Sequence, residues 1–385
     1  VLLRSDFPLG KLSTMKLRSC LAAVGVAAAL VSAAPAAGAA PQVRFLGQTT
    51  LPHGLQFQGT TVGGLSGVDR DPRTGEYVLI SDDRSYTNPA RFYTAELAVD
   101  DSGVHDVRIT GTRALLHPDG NTYSLPPLDD GRTVDPEEIR IDPVTGDYWW
   151  SQEGERPKTT GPAVVQPSIQ QARRDGSYAG SLPLPANYAI TPDRGPRRNL
   201  ALEAITFSAR GALVTSVVEG PLLQDGDLPT ADRGALTRLT VQGRDGAVLA
   251  QHAYPLEPLF AEPEPGPWGP DTGVPAILAD QQVPGRYYAL ERSWVPGADY
   301  KVRLFQVDIA GASDVRDQDV LEDGVRPVRK RLLADLHDFP LPVIDNVEGL
   351  TWGPRLRTGE RTLLLVSDDN FAAEEFTRFI ALAVR

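Results

Sequence analysis

The stretch Asp345–Phe371, DNVEGLTWGPRLRTGERTLLLVSDDNF, decides the architecture. A short apolar segment opened by Glu348 is followed by a loop of Gly, Pro and charged residues, and a second apolar segment runs into the acidic tip Asp368-Asp369-Asn370. The same pattern stands earlier as SGVDRDPRTGEYVLISDDRS from Ser66, as EEIRIDPVTGDYWWSQEG from Glu137 and, more loosely, as EAITFSARGALVTSVVEG from Glu203. Alternation with period two around tight turn residues predicts a β-hairpin in each copy. A unit longer than a hairpin, returning about every 70 residues, is the sequence signature of a radial all-β architecture.

Worked outward, each unit supplies about four strands. Unit one adds RFYTAELAV from Arg91 and VHDVRITGTRALL from Val104; unit two adds SIQQARR and GSYAGSLPL; unit three adds ALTRLTV and AVLAQHAY. The most worn copy, unit four, reads VPAILA, RYYALERSW, KVRLFQVDI and VRKRLLADL, while unit five has only TRFIALAV after its hairpin. The chain therefore predicts a β-propeller of five blades, or six if a long insertion conceals a worn blade. An N-terminal strand at Val43–Leu51 is expected to supply the missing fourth strand and close the ring. A β-sandwich is the structural alternative.

Ahead of this domain, Met15-Lys16-Leu17-Arg18, the apolar run Leu21–Val31 and APAAGAA form a basic region, an apolar core and a small-residue cleavage site. Residues 1–40 thus read as a leader whose secretory signal spans Met15 to about Ala39, with an over-extended start before Met15. Pro35 and Gly38 interrupt the apolar run, which falls short of the roughly 20 residues that span a bilayer, so no stable membrane insertion is expected. Residues 41–385 are then a single exported propeller, expected to be a monomer. The one cysteine, Cys20, lies in the leader, so this domain must be held by its core or by bound metal rather than by disulfides. A formal charge of −12 without a basic stripe excludes nucleic acid as a natural partner.

In a propeller, strand one of each blade lines the channel and strand two returns beside it, so the start of one and the end of the other share a face. Glu137, Glu203 and Glu348 open inner strands; Asp82, Asp83, Glu153, Glu219, Glu291, Asp368 and Asp369 close second strands. Carboxylates crowded around one mouth repel, and a divalent cation, arginines or raised pKa values relieve them. Oxygen donors alone suit calcium, and the expected ligands are Glu137, Glu203, Glu348, Asp82, Asp83, Glu291, Asp368 and Asp369. The bland alternative is that these acids cap turns and stay solvated. Arg84, Arg140 and Arg292 sit beside them, to neutralise carboxylates or clamp an anionic substrate; alternation turns Arg140 toward the opposite sheet face, in a pairing role. Asp71-Pro72 and Asp142-Pro143 read as hairpin turns with Gly75 and Gly146. Ser66 lacks the setting of a nucleophile elbow. The histidines are dispersed without zinc spacing.

GLSGVDRDPRTGEYVLISDDRS, NLALEAITFS, YYALERSW and NVEGLTWGP with LLLVSDDNF resemble the exported phytase-like family, described as having esterase-like activity of phytase. The resemblance spans roughly Val62 to Phe379. It implies a propeller and a hydrolase of phosphate or carboxylic esters, with matching positions at Ser66, Asp82, Asp83, Glu203, Glu291, Glu348, Asp368 and Asp369. The leading expectation is metal-dependent hydrolysis of a small anionic or ester substrate, with Glu203, Glu348, Arg292 and Arg84 carrying the chemistry. Alternatives are a non-catalytic extracellular binding propeller with structural calcium, and an oxidoreductase with an added organic cofactor.

Overall fold

The computed structural model describes residues 43–125, 132–156 and 164–385. The expected leader, with Cys20, and part of the unit-two insertion lie outside the described residues. Five antiparallel four-stranded sheets follow one another. The first contains β4 (Leu65–Arg70), β5 (Tyr77–Ser81), β6 (Arg91–Asp100) and β7 (Gly103–Ala114), after a short hairpin of β2 (Gln56–Phe57) and β3 (Thr60–Thr61). The second has β8 (Pro136–Ile141), β9 (Tyr148–Gln152), β10 (Ser168–Ala172) and β11 (Tyr178–Leu182). The third has β12 (Leu202–Ser208), β13 (Leu213–Val218), β14 (Ala235–Gly243) and β15 (Val248–Leu256). In the fourth are β16 (Asp271–Ala279), β17 (Arg286–Val295), β18 (Asp299–Asp308) and β19 (Arg329–Asp335). The last joins β20 (Val347–Arg355), β21 (Arg361–Ser367) and β22 (Arg378–Val384) to β1 (Val43–Thr50).

The innermost strands pack in a ring, β4 on β8, β8 on β12, β12 on β16, β16 on β20 and β20 on β4. This is a five-bladed propeller, and the six-blade and sandwich alternatives fall away. Closure by an N-terminal strand is corrected: no sheet is closed by one. β1 is the outermost strand of the fifth blade, paired antiparallel with β22 from Val43↔Val384 to Thr50↔Arg378. Every blade remains an open sheet, and face-to-face packing of side chains shuts the ring. Between the last and first blades that packing is an apolar cluster including Val366, Phe379 and Ala381 on one side and Leu65, Val68, Leu79 and Tyr93 on the other.

Each other blade junction has its own apolar cluster. This explains why inner strands read as continuous apolar runs rather than a clean alternation, since both of their faces are buried. In YWW, Trp150 packs toward the first blade and Trp149 toward the third, with Tyr148 beside Trp150.

All five inner hairpins carry a register shift at the same end. In three of them one residue is left over on the inner strand: Ser66 between Leu65↔Ser81 and Gly67↔Ile80, Glu203 between Leu202↔Val218 and Ala204↔Val217, and Glu348 between Val347↔Ser367 and Gly349↔Val366. A bulge of this kind re-aims the extra side chain. Small residues follow because neighbouring strands approach closely: a Cβ on Gly67 would meet the Glu137 carbonyl oxygen at 2.7 Å, and one on Gly349 would meet Val366 at 2.4 Å.

Candidate metal centre at the channel mouth

The bulges and the loops before them open onto a cavity of about 280 Å³. Eight carboxylates line it: Asp82 from blade one, Asp135, Glu137 and Glu153 from blade two, Glu203 from blade three, Asp271 from blade four, and Glu348 and Asp368 from blade five. Arg84 and Arg292 are the only cationic side chains among its described lining residues; Asn199, Trp294, Tyr300, Asn346 and Asn370 complete the wall.

Two sets of acids are close enough to share an ion, Asp135 with Glu137 and Glu153, and Glu153 with Glu203 and Glu219. In each set one oxygen per residue lies within 4.8 Å of the others, and Glu153 belongs to both. Burial is the main cause that raises these carboxyls above their ordinary range, and neighbouring acids add to it. Glu137, Glu153 and Glu203 are held well above it, Glu219 is pushed up to about 8 and Asp135 to about 6. On the facing wall Asp82, Asp368 and Glu348 are raised for the same reasons.

Arg292 holds the centre of the other wall. Its Nη2 lies 2.8 Å from Glu219 and 3.1 Å from Asp271, and its Nη1 lies 2.8 Å from Asn346 Oδ1 and 3.3 Å from Glu348. Burial alone would depress this guanidinium, but Asp271, Glu219, Glu348 and Glu203 outweigh it and raise its pKa. Arg84 bridges Asp135 at 3.3 Å and Glu155. Even so, Glu219 Oε2 and Asp271 Oδ1 are buried without a hydrogen-bond partner. Buried acceptors that lack donors, in a set made of oxygen ligands, fit a hard divalent cation.

The channel is plugged beneath this mouth, about 10 Å deeper by strand rise. Arg140 donates from Nε to the Ile205 carbonyl at 2.8 Å, from Nη1 to Val68 and Leu350 at 2.9 Å, and from Nη2 to Ile277 at 3.1 Å and to Glu138 at 2.5 Å. One guanidinium on β8 therefore binds inner strands of all four other blades. The pairing role expected of Arg140 is met by Glu138, on the channel axis.

Among the expected site residues, Glu137, Glu203, Glu348, Asp82, Asp368, Arg84 and Arg292 meet at the cavity. Three do not. Asp83 turns away and is bound by Arg91 at 2.7 Å and by the backbone N–H groups of Tyr86, Thr87 and Asn88. Asp369 accepts from Gly64 N–H at 2.8 Å and from Phe371 N–H at 3.2 Å. Glu291 lies on the sheet face opposite Arg292, against Lys330, with Tyr254 Oη at 2.8 Å. In both DD pairs, which follow the ends of β5 and β21, only the first acid lines the cavity.

Asp135, Asp271 and Asn346 are further site residues that the sequence reading missed. Asp135 and Asn346 stand two positions before the strand-opening glutamates Glu137 and Glu348, a spacing that could have flagged them. β16 begins at Asp271, three residues before the expected segment VPAILA. The Ser66 Oγ donates to the Glu137 carbonyl at 2.6 Å. His53 and His337 are exposed, the first 3.8 Å from Asp369 and the second beside Asp335, and neither lines the cavity. Among the described residues no helix is long and apolar enough to cross a membrane.

The family described as "Phytase-like: Esterase-like activity of phytase" matches residues 60–371. No curated protein matches the chain. Among solved structures, the chain is similar to a bifunctional GH43-CE protein of Bacteroides eggerthii at 13% identity and TM-score 0.40, covering 83% of this chain and 33% of that one. A GH43_12 protein retrieved from a capybara gut metagenome aligns at 9% identity and TM-score 0.39, covering 83% and 51%. A structure titled glucose dehydrogenase aligns at 11% identity and TM-score 0.37, covering 89% and 99%. This chain thus spans about a third and about half of the first two. The fold assignment rests on the sheets themselves.

Proposed function

The chain belongs to the phytase-like family, and from that premise we propose that it is a secreted ester hydrolase that works with calcium at the acidic channel mouth. The observation that carries this reading is the imbalance of charge there, eight lining carboxylates from five blades against two guanidiniums, with buried oxygens left unpartnered. Asp135, Glu137, Glu153, Glu203 and Glu219 would hold the cation. Bound calcium would supply a Lewis acid for an ester or phosphoryl oxygen and make a water more acidic.

The chain's own groups do the rest. Glu348, with its pKa raised by burial, takes the proton of the attacking water. Glu203, re-aimed by its bulge, serves both the cation and the water. Arg292 and Arg84 orient the substrate's anionic oxygens. A covalent nucleophile has no part, in keeping with the engaged Ser66 hydroxyl. Phytate itself is disfavoured, because a strongly anionic mouth repels it; a smaller phosphoester, lactone or carboxylic ester meets no such barrier. Export is proposed on the Met15–Ala39 pattern and is tested by recovering the processed chain outside the cell.

One observation favours a second reading, a binding propeller fastened by calcium: Arg84 and Arg292 are both already engaged by acids. A screen of phosphomonoesters, phosphodiesters, carboxylic esters and lactones, with calcium and with chelator, separates the two. Calcium-dependent turnover supports hydrolysis; binding without turnover of any class overturns it.

A further inference from the structure

At the other end of the channel, beyond Arg140, the inner strands finish around a second cavity of about 440 Å³. Its walls include Phe207, Leu278 and Trp352, and five guanidiniums line it, Arg140 of the plug with Arg70, Arg73, Arg210 and Arg361. Asp69 is the only carboxylate among its described lining residues, and its oxygens accept from Thr351 Oγ1 and from Ile141 N–H, each at 2.8 Å. Arg73 is bound by Asp71 at 3.0 Å and Arg361 lies 3.7 Å from Asp280. Arg70 and Arg210 have no carboxylate partner among the described residues. Uncompensated positive charge thus gathers at one cavity of a chain whose net charge is −12.

The apolar wall is fixed, and Arg361 covers one face of its indole. The Arg361 guanidinium carbon lies 3.3 Å from the Trp352 ring centroid, Trp352 Nε1 donates to the Ala279 carbonyl at 3.2 Å, and Tyr288 meets the indole edge-on at 5.0 Å. We propose that this cavity binds a small planar oxyanion, an aromatic ring bearing a carboxylate or a phosphate. The ring lies against Phe207 and Leu278, beside the Arg361-covered indole, and the oxyanion is taken by Arg70 and Arg210. The volume falls within the range of about 300–1,000 Å³ typical of small-molecule sites. Guanidiniums recognise carboxylate and phosphate by paired N–H donors.

Calorimetric titration of the exported chain, with chelator present to silence the acidic mouth, uses benzoate and phenyl phosphate as probes. Saturable binding of at least one is expected, and the tighter of the two distinguishes carboxylate from phosphate. Arg70→Gln and Arg210→Gln should each weaken binding about tenfold or more, while Glu203→Gln at the far mouth leaves it unchanged. Melting curves establish that the variants are folded. Absence of saturation with both probes overturns the proposal, as does equal binding of neutral benzyl alcohol or indifference to both arginine substitutions.

Discussion

The two ends of the same hairpins treat the same residue type in opposite ways. At the turn end, Asp71 is bound by Arg73 at 3.0 Å and by Arg174 at 3.1 Å, and Asp142 is bound by Arg244. The Arg73 hydrogen bond leads the causes that bring Asp71 down to about 2; for Asp142, burial pulls upward but the hydrogen bonds from Arg244, the Val144 N–H and the Thr145 hydroxyl win. At the bulge end, eight lining carboxylates face two guanidiniums, and burial with repulsion from neighbouring acids raises the pKa values of Glu137 and Glu203 among them. Acids that complete a turn have been given arginines. Acids that ring the mouth have been left short of positive charge, which is the condition a bound cation relieves.

Between the ends stands Arg140, and removing it should have the largest effect on the molecule. Arg140→Met strands the carbonyls of Val68, Ile205, Ile277 and Leu350 and leaves Glu138 buried without its partner. Breaking a buried pair in this way costs about 3–5 kcal/mol, and the unsatisfied carbonyls add to it. Denaturant unfolding should show a loss of at least that size. A loss near that of a surface change would mean that the waist does not tie the blades together.

The next largest contrast is in pH. Glu219 keeps its proton to about 8 in the folded chain against an ordinary 4.5, so the folded chain binds more protons across that window. Without metal, the mouth therefore stabilises the fold fully below 4.5, and that stability is lost as pH rises through about 8. The turn end has the opposite sign: the stability from Asp71 is present above its ordinary 3.8 and is lost as pH falls through about 2. Chelated protein should melt several degrees higher at pH 5 than at pH 8, and calcium should restore the difference at pH 8. Superimposed curves with calcium and with chelator would remove the metal site.

Substitution of single acids sharpens the comparison further. Glu203→Gln and Glu348→Gln each delete a charge at the mouth and should weaken calcium binding by about tenfold or more. Glu76→Gln and Asp147→Asn, at the turns, should stay near wild type, since Glu76 makes only an exposed contact with Arg174 at 3.3 Å. Calorimetric titration with calcium reads all four. Equal, small effects at both ends would restore the view that these acids only cap turns.

The repeat in the sequence carried the blade count, the hairpins and the end of the channel at which acids gather. Glu203 and Glu348 were legible because an acid opens an apolar run, although the bulge that turns them inward leaves no local mark in composition. Arg140 was legible as half of an ion pair but not as the plug, because its partners are backbone carbonyls up to 210 residues away. The role of β1 was misjudged because pairing at a blade's rim and closure of the ring look alike in one dimension. Packing between blades, which closes the ring, is a property of faces that only the assembled propeller brings together.

The smallest effect on the site is expected at Glu291, which the repeat places in line with the channel acids and the structure does not. β17 alternates there: Arg292 enters the cavity, while Glu291 faces Lys330, Tyr254 Oη at 2.8 Å and the Glu257 N–H at 3.1 Å. Lys330 is itself half-buried, 4.3 Å from the Phe305 ring centroid, so Glu291 serves to neutralise it. Glu291→Gln removes the charge and keeps the Tyr254 hydrogen bond on its one oxygen, at the cost of the one from the Glu257 N–H. Lys330 retains Glu257 at 2.8 Å, which limits the loss to about 1–2 kcal/mol. Calcium affinity should not move, whereas Glu348→Gln should move affinity more than stability. If Glu291→Gln weakened calcium binding as much as Glu348→Gln, the division of labour between the two faces of β17 would fail, and with it the boundary drawn around the mouth.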